Sequence, residues 1–323
     1  MEEASNSTLQ LCSVKQTNKQ INKIMKMKKE LLASLAGVAL FGSVANAEIP
    51  LTDDLSAYGY IDLAYTDADD GQNLEGGAAE FELGFAFNPV DSKWSAVAEL
   101  AFFGSGNFGG GEDVDTQFET VTISYAASDE LSFTLGNILS YQGFETYDAT
   151  GLFQFSYLGR GPVYTAAYAY GASADYATDD YALGLWVGEA DDSASVEFLA
   201  AYTGIEGLTA KFIYADDPGY ETANFWASYD VNAFTFAIEY VQTDYTDDTE
   251  LEAYMALVYY SLGDAGITLR FSDVDYDGTD YEKFTISPSY AFSDNVFGLL
   301  EVSFVEDGDD SKTELAAELI YSF

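Results

Sequence analysis

The chain has 323 residues, of which 55 are acidic and 12 basic, so its formal net charge is −43; it has no histidine and one cysteine. The missing histidine excludes Ser-His-Asp triads, Cys-His pairs and HExxH zinc sites, and we expect no enzyme. The negative charge excludes nucleic acid as a partner, because phosphate binding needs clustered Lys and Arg. Aromatic side chains make up 16% of the residues, which excludes disorder.

The first 47 residues have the pattern of a targeting segment. Residues 25–47 contain a lysine-rich start, an apolar run from Leu31 to Phe41 and an A-x-A cleavage signal at 45–47. These features predict a secretory signal peptide whose apolar run is too short to span a bilayer. We interpret residues 1–24 as an upstream extension, with a long signal-peptide start as the alternative. Residues 48–323 then form a single mature domain without cysteine, so disulfides are not expected.

Apolar and polar side chains alternate along almost the whole mature chain. In the last segment, Leu319 and Tyr321 fall on one face and Glu318 on the other. This two-residue period indicates β-strands with two chemically different faces. A soluble sandwich would bury the apolar face, whereas an outer-membrane barrel would turn it to lipid and enclose water. The segments approach the roughly 9–11 residues of a tilted membrane strand and have aromatic residues at their ends, which favours the barrel.

Seventeen such segments can be counted, whereas a closed antiparallel barrel of the bacterial outer membrane has an even number. The weakest segment is Leu152–Leu158, which is the shortest and is bracketed by glycines. Without it, short and long connections alternate along the chain, and the long ones include Thr66–Gly77 and Gly104–Asp115. We therefore predict an all-β fold, a transmembrane antiparallel β-barrel of 16 strands with short periplasmic turns and long outer loops.

The same interpretation leaves a 24-residue outer connection from Leu139 to Pro162, which we call the third loop. Loops of this length are usually functional. Its many aromatic side chains are unusual for a segment in water, so we predict that the third loop folds into the lumen and narrows it. An outer loop packed on its neighbours is the alternative. Glu145, Asp148 and Arg160 are the candidate charged residues of the constriction.

Three motifs around this loop carry a family resemblance. LSFTLGN at 131–137, GFETYDATG at 143–151 and GPVYT at 161–165 resemble the OmpL-like β-barrel porin family of bacterial outer membranes. Tyr321 and Phe323 resemble the C-terminal aromatic signal by which the barrel-assembly machinery recognises outer-membrane barrels. The resemblance implies a porin surrounded by outer-membrane lipid. Trimers are common among porins, so a homotrimer is one candidate assembly, and the oligomeric state stays open.

Pleat alternation predicts which ionisable side chains face the lumen of such a barrel. Carboxylates dominate this set, and rings of carboxylates favour cations by concentrating them and repelling anions. We therefore predict cation preference; the alternative is that the charges only solvate the wall. A β-bulge, for which Pro288 marks a candidate position, would reverse the assignments beyond it. The predicted pore-lining residues are Asp62, Glu82, Glu99, Glu197, Glu239, Glu252, Arg270, Glu301 and Glu318.

Two further motifs resemble ligand sites. Gly104–Gly109 matches G-x-G-x-x-G, but no helix follows it to receive a pyrophosphate, so no cofactor is expected. Asp273, Asp275 and Asp277 begin like an EF-hand loop, yet its twelfth position is Phe284 instead of a bidentate Glu. We keep these three aspartates as weak calcium candidates, with a solvated acidic loop as the alternative.

The sequence favours a passive outer-membrane channel for small hydrophilic solutes and ions, with cations preferred. The alternative is a structural or adhesive barrel whose acidic loops bind calcium and whose lumen is plugged. Sixteen strands normally leave an aqueous passage, whereas about eight leave almost none. This difference favours the channel.

Overall fold

The computed structural model describes residues 48–68, 77–106, 114–145, 148–159, 163–164, 168–190 and 193–323. The predicted upstream extension and signal peptide lie outside these residues. Within the described part of the chain, no helix is long and apolar enough to cross a membrane. A short 3-10 helix spans Ala149–Gly151. The strands are β1 (Ile49–Pro50), β2 (Leu55–Ala68), β3 (Gly77–Phe87), β4 (Trp94–Gly106), β5 (Val114–Ala126), β6 (Leu131–Leu139), β7 (Tyr168–Ala177), β8 (Tyr181–Ala190), β9 (Ser193–Tyr202), β10 (Leu208–Asp217), β11 (Tyr220–Val231), β12 (Phe234–Tyr245), β13 (Glu250–Leu262), β14 (Ala265–Tyr276), β15 (Thr279–Ser293), β16 (Val296–Asp307) and β17 (Asp310–Ser322).

The strands from β2 to β17 close into a barrel. Each pairs antiparallel with the next strand along the chain, and β17 returns to pair with β2. The two-residue β1 adds to the end of β2. Closure removes the unpaired edges that an open sheet would expose. The predicted 16-strand antiparallel barrel is confirmed, and Leu152–Leu158 is not part of the sheet.

The outer surface of the barrel is apolar. On β17, Leu319 and Tyr321 point outward and are 44% and 46% exposed, whereas Ile320 between them is 1% exposed. On β8, Leu185 is exposed and Trp186 is buried in the same way. An outward band of large apolar side chains is the face that lipid contacts in membrane barrels. The polar and closely packed side chains therefore lie inside the barrel.

The two ends of the barrel differ less than the sequence predicted. We call the end that holds the C-terminus the terminal end and the opposite end the loop end. From β8 onward, the connections at the loop end have only two to four residues, so the prediction of long outer loops is wrong for this half. Asp277 and Gly278 show the reason: both have positive φ, 50° and 76°, as tight two-residue hairpins require. The acidic, glycine-containing stretch is itself the turn.

A β-bulge changes the facing of one part of β5. The ladder between β4 and β5 shifts by one residue between Ala98 and Leu100. As a result, Glu119 and Thr120 of β5 together oppose Glu99 of β4. A bulge places two neighbouring residues opposite one, and the alternation reverses beyond it. Both Glu119 and Thr120 are consequently buried in the interior.

A second irregularity lies in β15, between Ala291 and Ser293. It is not at Pro288, the position that the sequence suggested, because Pro288 stays in register with Ile267 of β14. The irregularity instead lies beside the hairpin turn between β15 and β16, where a bulge commonly ends strand pairing.

The interior of the barrel has two chemically different halves. The inner faces of β8 to β14 form the apolar half, and the inner faces of β2 to β5 together with β17 form the acidic half. The apolar half contains the buried side chains Trp186, Leu199, Ile213, Trp226, Val241, Met255, Leu257 and Val274. The acidic half contains the inward carboxylates Asp62, Glu80, Glu82, Glu99, Glu119 and Glu318.

Candidate functional site

The third loop enters the lumen and packs on the apolar half. Phe144 and Leu158 are 2% and 0% exposed. The Phe144 ring meets Trp226 of β11 edge-on, with 5.5 Å between the ring centroids, and it stacks on Phe153 of the same loop at 6.2 Å. Full burial of such side chains stabilises a structure by about 1.5–3 kcal/mol each. The loop therefore lies in the lumen as predicted, and its aromatic residues hold it there.

Two polar side chains of the wall hold the first residues of the loop. Ser140 Oγ and the backbone N–H of Tyr141 donate to Glu197 of β9, at 2.7 and 2.9 Å. The N–H of Gly143 donates to Asn224 Oδ1 of β11 at 2.9 Å. A loop that leaves water must find partners for its backbone N–H groups. The wall supplies them as side-chain oxygens.

Glu239 of β12 is the next anchor and is 4% exposed. It accepts three hydrogen bonds: from the N–H of Phe144 at 2.9 Å, from the Tyr164 hydroxyl at 2.7 Å and from Asn224 Nδ2 at 2.8 Å. Hydrogen bonds to an ionised acceptor are stronger than those between neutral groups. The carboxylate of Glu239 thus joins the first part of the third loop, and Tyr164 just after the loop, to the wall.

Arg270 of β14 holds the middle of the loop and is fully buried. Its guanidinium forms an ion pair with Glu145 and donates to the Tyr157 carbonyl at 2.8 Å and to Ser156 Oγ at 3.0 Å. The N–H of Ser156 donates in turn to Glu301 of β16 at 3.0 Å. A buried charge is tolerated only when it is paired and hydrogen-bonded, and both conditions are met here.

Small hydroxyl side chains flank Arg270 on the same strand. Thr268 Oγ1 donates to the Phe153 carbonyl at 2.7 Å, and Ser272 Oγ donates to the Leu158 carbonyl at 2.6 Å. Residues i and i+2 of a strand share a face, so these two hydroxyls and Arg270 contact the loop in one row. Their small size leaves room for the loop backbone beside the wall.

Several residues that were predicted to line the pore therefore face the lumen, but they hold the third loop in place. Glu197, Glu239, Arg270 and Glu301 are on the inner face, and each contacts the third loop. Glu145, which was predicted for the constriction, is a residue of the third loop, and its carboxylate turns back toward that loop. Besides Arg270, it accepts hydrogen bonds from Gln154 and from the N–H of Leu158, both at 2.9 Å.

The acidic half carries the other inward carboxylates that the sequence predicted, Asp62, Glu82, Glu99 and Glu318. Tyrosine hydroxyls of β2 donate to two carboxylates of this wall. Tyr58 donates to Glu99 at 2.5 Å, and Tyr60 donates to Glu80 at 2.6 Å. The wall is therefore ordered and lined by carboxyl groups.

Asp148 brings the third loop against this wall. Its carboxylate, that of Glu82 and that of Glu119 each place an oxygen within 4.8 Å of the other two. Burial first, and then the charges of Glu99 and Glu80, raise the pKa of Asp148 from 3.8 to about 7. The loop thus approaches the acidic half through carboxylates that lie close to one another.

Two inward acids are absent from the sequence prediction. Glu80 has the same parity as Glu82 on β3, so the two-residue period already indicated it. Glu119 has the parity of the outward residues Val121 and Ile123, which are 37% and 56% exposed. Only the bulge turns it inward, and the two-residue period of the sequence does not mark that bulge.

Glu252 is a correction, because it lies on the outer face of β13. Its neighbours Leu251 and Ala253 are buried, and Glu252 is exposed and accepts hydrogen bonds from Tyr240 and Tyr254 at 2.8 and 2.7 Å. On β13 the inner face is itself apolar, so polarity does not tell the inner face from the outer one. Arg160, also predicted for the constriction, lies outside the described residues.

The predicted calcium candidates form no ligand group. Asp275 accepts the N–H of Gly278 at 2.7 Å inside the two-residue turn, and Asp277 occupies that turn with positive φ. Within the described ranges, Asp273, Asp275 and Asp277 do not converge as Glu82, Glu119 and Asp148 do. The acidic spacing reflects hairpin geometry.

The C-terminal residues complete the closure of the barrel. The N–H of Phe323 donates to the Gly59 carbonyl at 2.9 Å, and the N–H of Gly59 donates back at 2.8 Å. The Phe323 ring stacks against Phe81 with centroids 6.3 Å apart, and Tyr321 points outward. Recognition of Tyr321 and Phe323 by assembly machinery stays a prediction.

Several solved structures are similar to this barrel. The anion-selective porin from Comamonas acidovorans has a TM-score of 0.64 and 15% identity, covering 83% of this chain and 99% of the porin. OmpT of Vibrio cholerae has a TM-score of 0.65 and 12% identity, covering 85% and 100%. A triple mutant of the Rhodopseudomonas blastica porin has a TM-score of 0.63 and 16% identity, covering 83% and 100%.

The chain has the fold of the outer-membrane porins. No protein-family model and no curated sequence matches it. Identities of 12–16% show the fold alone, and the resemblance to the OmpL-like family stays a prediction.

Proposed function

We propose that the protein is a porin of the bacterial outer membrane, a passive water-filled channel for small hydrophilic solutes that prefers cations. The closed barrel of 16 strands with its apolar outer surface supports the membrane placement. The in-folded third loop supports a channel of controlled width, because it fills the apolar half and leaves the acidic half as the wall of the passage. Outer-membrane lipid, the assembly machinery and a homotrimer are the expected partners.

The observation that carries the cation preference is the separation of charges inside the barrel. Carboxylates dominate the acidic half, and the described basic side chains of the interior lie beside acids or over an aromatic ring. Arg270 pairs with Glu145, Lys211 lies over the Trp226 ring at 5.0 Å, and Lys283 is 3.8 Å from Glu314. A passage lined by one sign of charge concentrates the opposite ion. The Comamonas porin is described as anion-selective, and the acidic wall favours the opposite preference here.

Reversal potentials in planar bilayers test this function. Purified protein in a KCl gradient should give stable conductance steps with a potassium-to-chloride permeability ratio above one. Glu82→Gln should lower the ratio, because it removes one charge from the acidic half while keeping the shape of the side chain. An anion preference, or a ratio unchanged in Glu82→Gln, would contradict the assignment of the acidic half as the selective wall.

A structural or adhesive barrel is the second candidate function. The extensive packing of the third loop favours it: Phe144, Leu158 and the Arg270–Glu145 pair fill much of the apolar half. Such a barrel would insert into bilayers without conducting. Silent insertion, shown by protease protection of the barrel in liposomes without solute leakage, would support this candidate and overturn the channel.

A further inference from the structure

Three carboxylates from three separate segments meet inside the barrel. Glu82 of β3, Glu119 of β5 and Asp148 of the third loop each bring an oxygen within 4.8 Å of the other two. Glu82 and Glu119 are both 5% exposed. Carboxylates sharing one site cannot all be ionised without compensation, because their repulsion grows as water is removed. A proton or a cation must therefore be shared among them.

Glu119 gives a second and independent indication of a ligand. Its Oε2 atom is buried and has no hydrogen-bond partner in the structure. A buried acceptor without a donor is unfavourable, because it has lost its hydrogen bonds to water without gaining a partner. The comparison with Glu239, which is equally buried and accepts three hydrogen bonds, shows that this barrel can satisfy an inward carboxylate when the carboxylate serves packing. The bulge in β5 turns the Glu119 side chain toward Glu82 and Asp148.

We propose that Glu82, Glu119 and Asp148 bind one calcium ion that ties the third loop to the acidic half. Calcium takes oxygen ligands at about 2.3–2.6 Å, so two oxygens on one ion can be up to about 5 Å apart. Magnesium holds its ligands at about 2.0–2.1 Å, which limits that spacing to about 4 Å. The three oxygens lie within 4.8 Å of one another, a range that one calcium ion can span. The flexible coordination of calcium also suits ligands from three separate segments better than the strict octahedron of magnesium. Three carboxylates offer up to six oxygens, and the remaining positions are open to water.

The ion would join elements that are distant in the sequence. Glu82 and Glu119 belong to the wall, whereas Asp148 belongs to the loop, so binding fixes their separation. Calcium binding rests on this geometry and not on transport. Its consequence, a smaller monovalent conductance when calcium is bound, rests on the proposed channel function.

Isothermal titration calorimetry of the refolded, chelator-treated protein in detergent tests the site. Titration with CaCl₂ should show one site per chain, and MgCl₂ should bind at least about tenfold more weakly. Glu119→Gln removes a charge without changing shape and should weaken calcium binding by about tenfold or more, as should Glu82→Gln. The double variant Asp275→Asn/Asp277→Asn, which alters the acidic hairpin turn between β14 and β15, should bind calcium as the unaltered protein does.

Folding of each variant is checked by circular dichroism and by the shift in electrophoretic mobility on heating. Three results would overturn the site. They are no calcium binding by the unaltered protein, calcium binding by Glu119→Gln and Glu82→Gln as tight as that of the unaltered protein, and loss of calcium binding in the hairpin variant. Planar-bilayer recordings separate this from the channel itself. Conductance without calcium binding overturns only the calcium site, and calcium binding by a protein that never conducts overturns only the channel.

Discussion

The two halves of the lumen use carboxylates in opposite ways. In the apolar half, Glu239 accepts three hydrogen bonds and Glu145 is paired with Arg270, so each charge is compensated and fixes the third loop. In the acidic half, Glu119 keeps a buried oxygen without a donor and lies against Glu82 and other acids. Compensation, more than residue type, thus separates the acids that fix the third loop from the acids that we propose to act on ions.

The largest effect is expected from Arg270→Met, which would disrupt the apolar half. The substitution leaves Glu145 buried without its counter-ion, and breaking a buried pair in this way costs about 3–5 kcal/mol. We expect a lower free energy of unfolding in urea and a larger single-channel conductance, because the middle of the loop is released. Lys312→Met, at a residue whose side chain is 37% exposed, is the control. The double variant Arg270→Met/Glu145→Gln should recover part of the stability; unchanged conductance in Arg270→Met would mean that another contact holds the loop.

Leu158→Ala tests the apolar packing of the same loop without touching charge. Leu158 is fully buried, and truncation of a buried leucine costs about 2–5 kcal/mol through lost burial and a cavity. Unfolding in urea of the lipid-reconstituted protein measures the loss. Leu319→Ala on the outer face is the matched control and should cost less, because lipid can fill the space. Equal losses in the two variants would show that the loop contributes little to stability.

The pH dependence of selectivity sharpens the description of the acidic half. The pKa of Asp148 is raised from 3.8 to about 7 by burial and by the charges of Glu99 and Glu80. The folded protein therefore holds this proton more tightly than the unfolded chain. Its contribution to stability is full below pH 3.8 and is lost as the pH rises to about 7. As the pH rises through about 7, the cation preference should increase, because Asp148 of the folded protein becomes charged.

Reversal potentials measured across that pH range check this expectation. Asp148→Asn should lose the part of the pH dependence that is centred on about pH 7, while keeping the preference that the wall carboxylates provide. A pH profile identical to that of the unaltered protein would assign the titration to other groups.

The smallest effect is expected from Glu252→Gln. This acid lies on the outer face and binds only the hydroxyls of Tyr240 and Tyr254, so its charge is separated from the lumen by the sheet. The permeability ratio should stay as in the unaltered protein, while Glu82→Gln lowers it. A shift in Glu252→Gln as large as that in Glu82→Gln would mean that surface charge, and not the acidic half, sets selectivity.

Most of the fold could be predicted from the sequence because strand faces repeat every two residues. The strand count and the in-folding of the third loop follow from parity and from aromatic content. The candidate site was harder to predict from the sequence than the fold, for two physical reasons. Glu119 reaches the lumen only through a bulge that depends on pairing with β4, and Glu252 lies on a strand whose two faces are both largely apolar. The anchoring by Glu239 and Arg270 also depends on contacts between residues far apart in the chain.

The position of the third loop in the lumen has a consequence for the order in which the parts of the chain fold. The wall side chains described above as hydrogen-bonding to the loop, from Glu197 to Glu301, follow it in the chain. Antiparallel hairpins with short turns form from neighbouring residues, whereas contacts between distant residues come at a higher entropic cost. The third loop can therefore take its final position only after β16 has formed. A nascent barrel that lacks its last strands would have a lumen without the folded third loop.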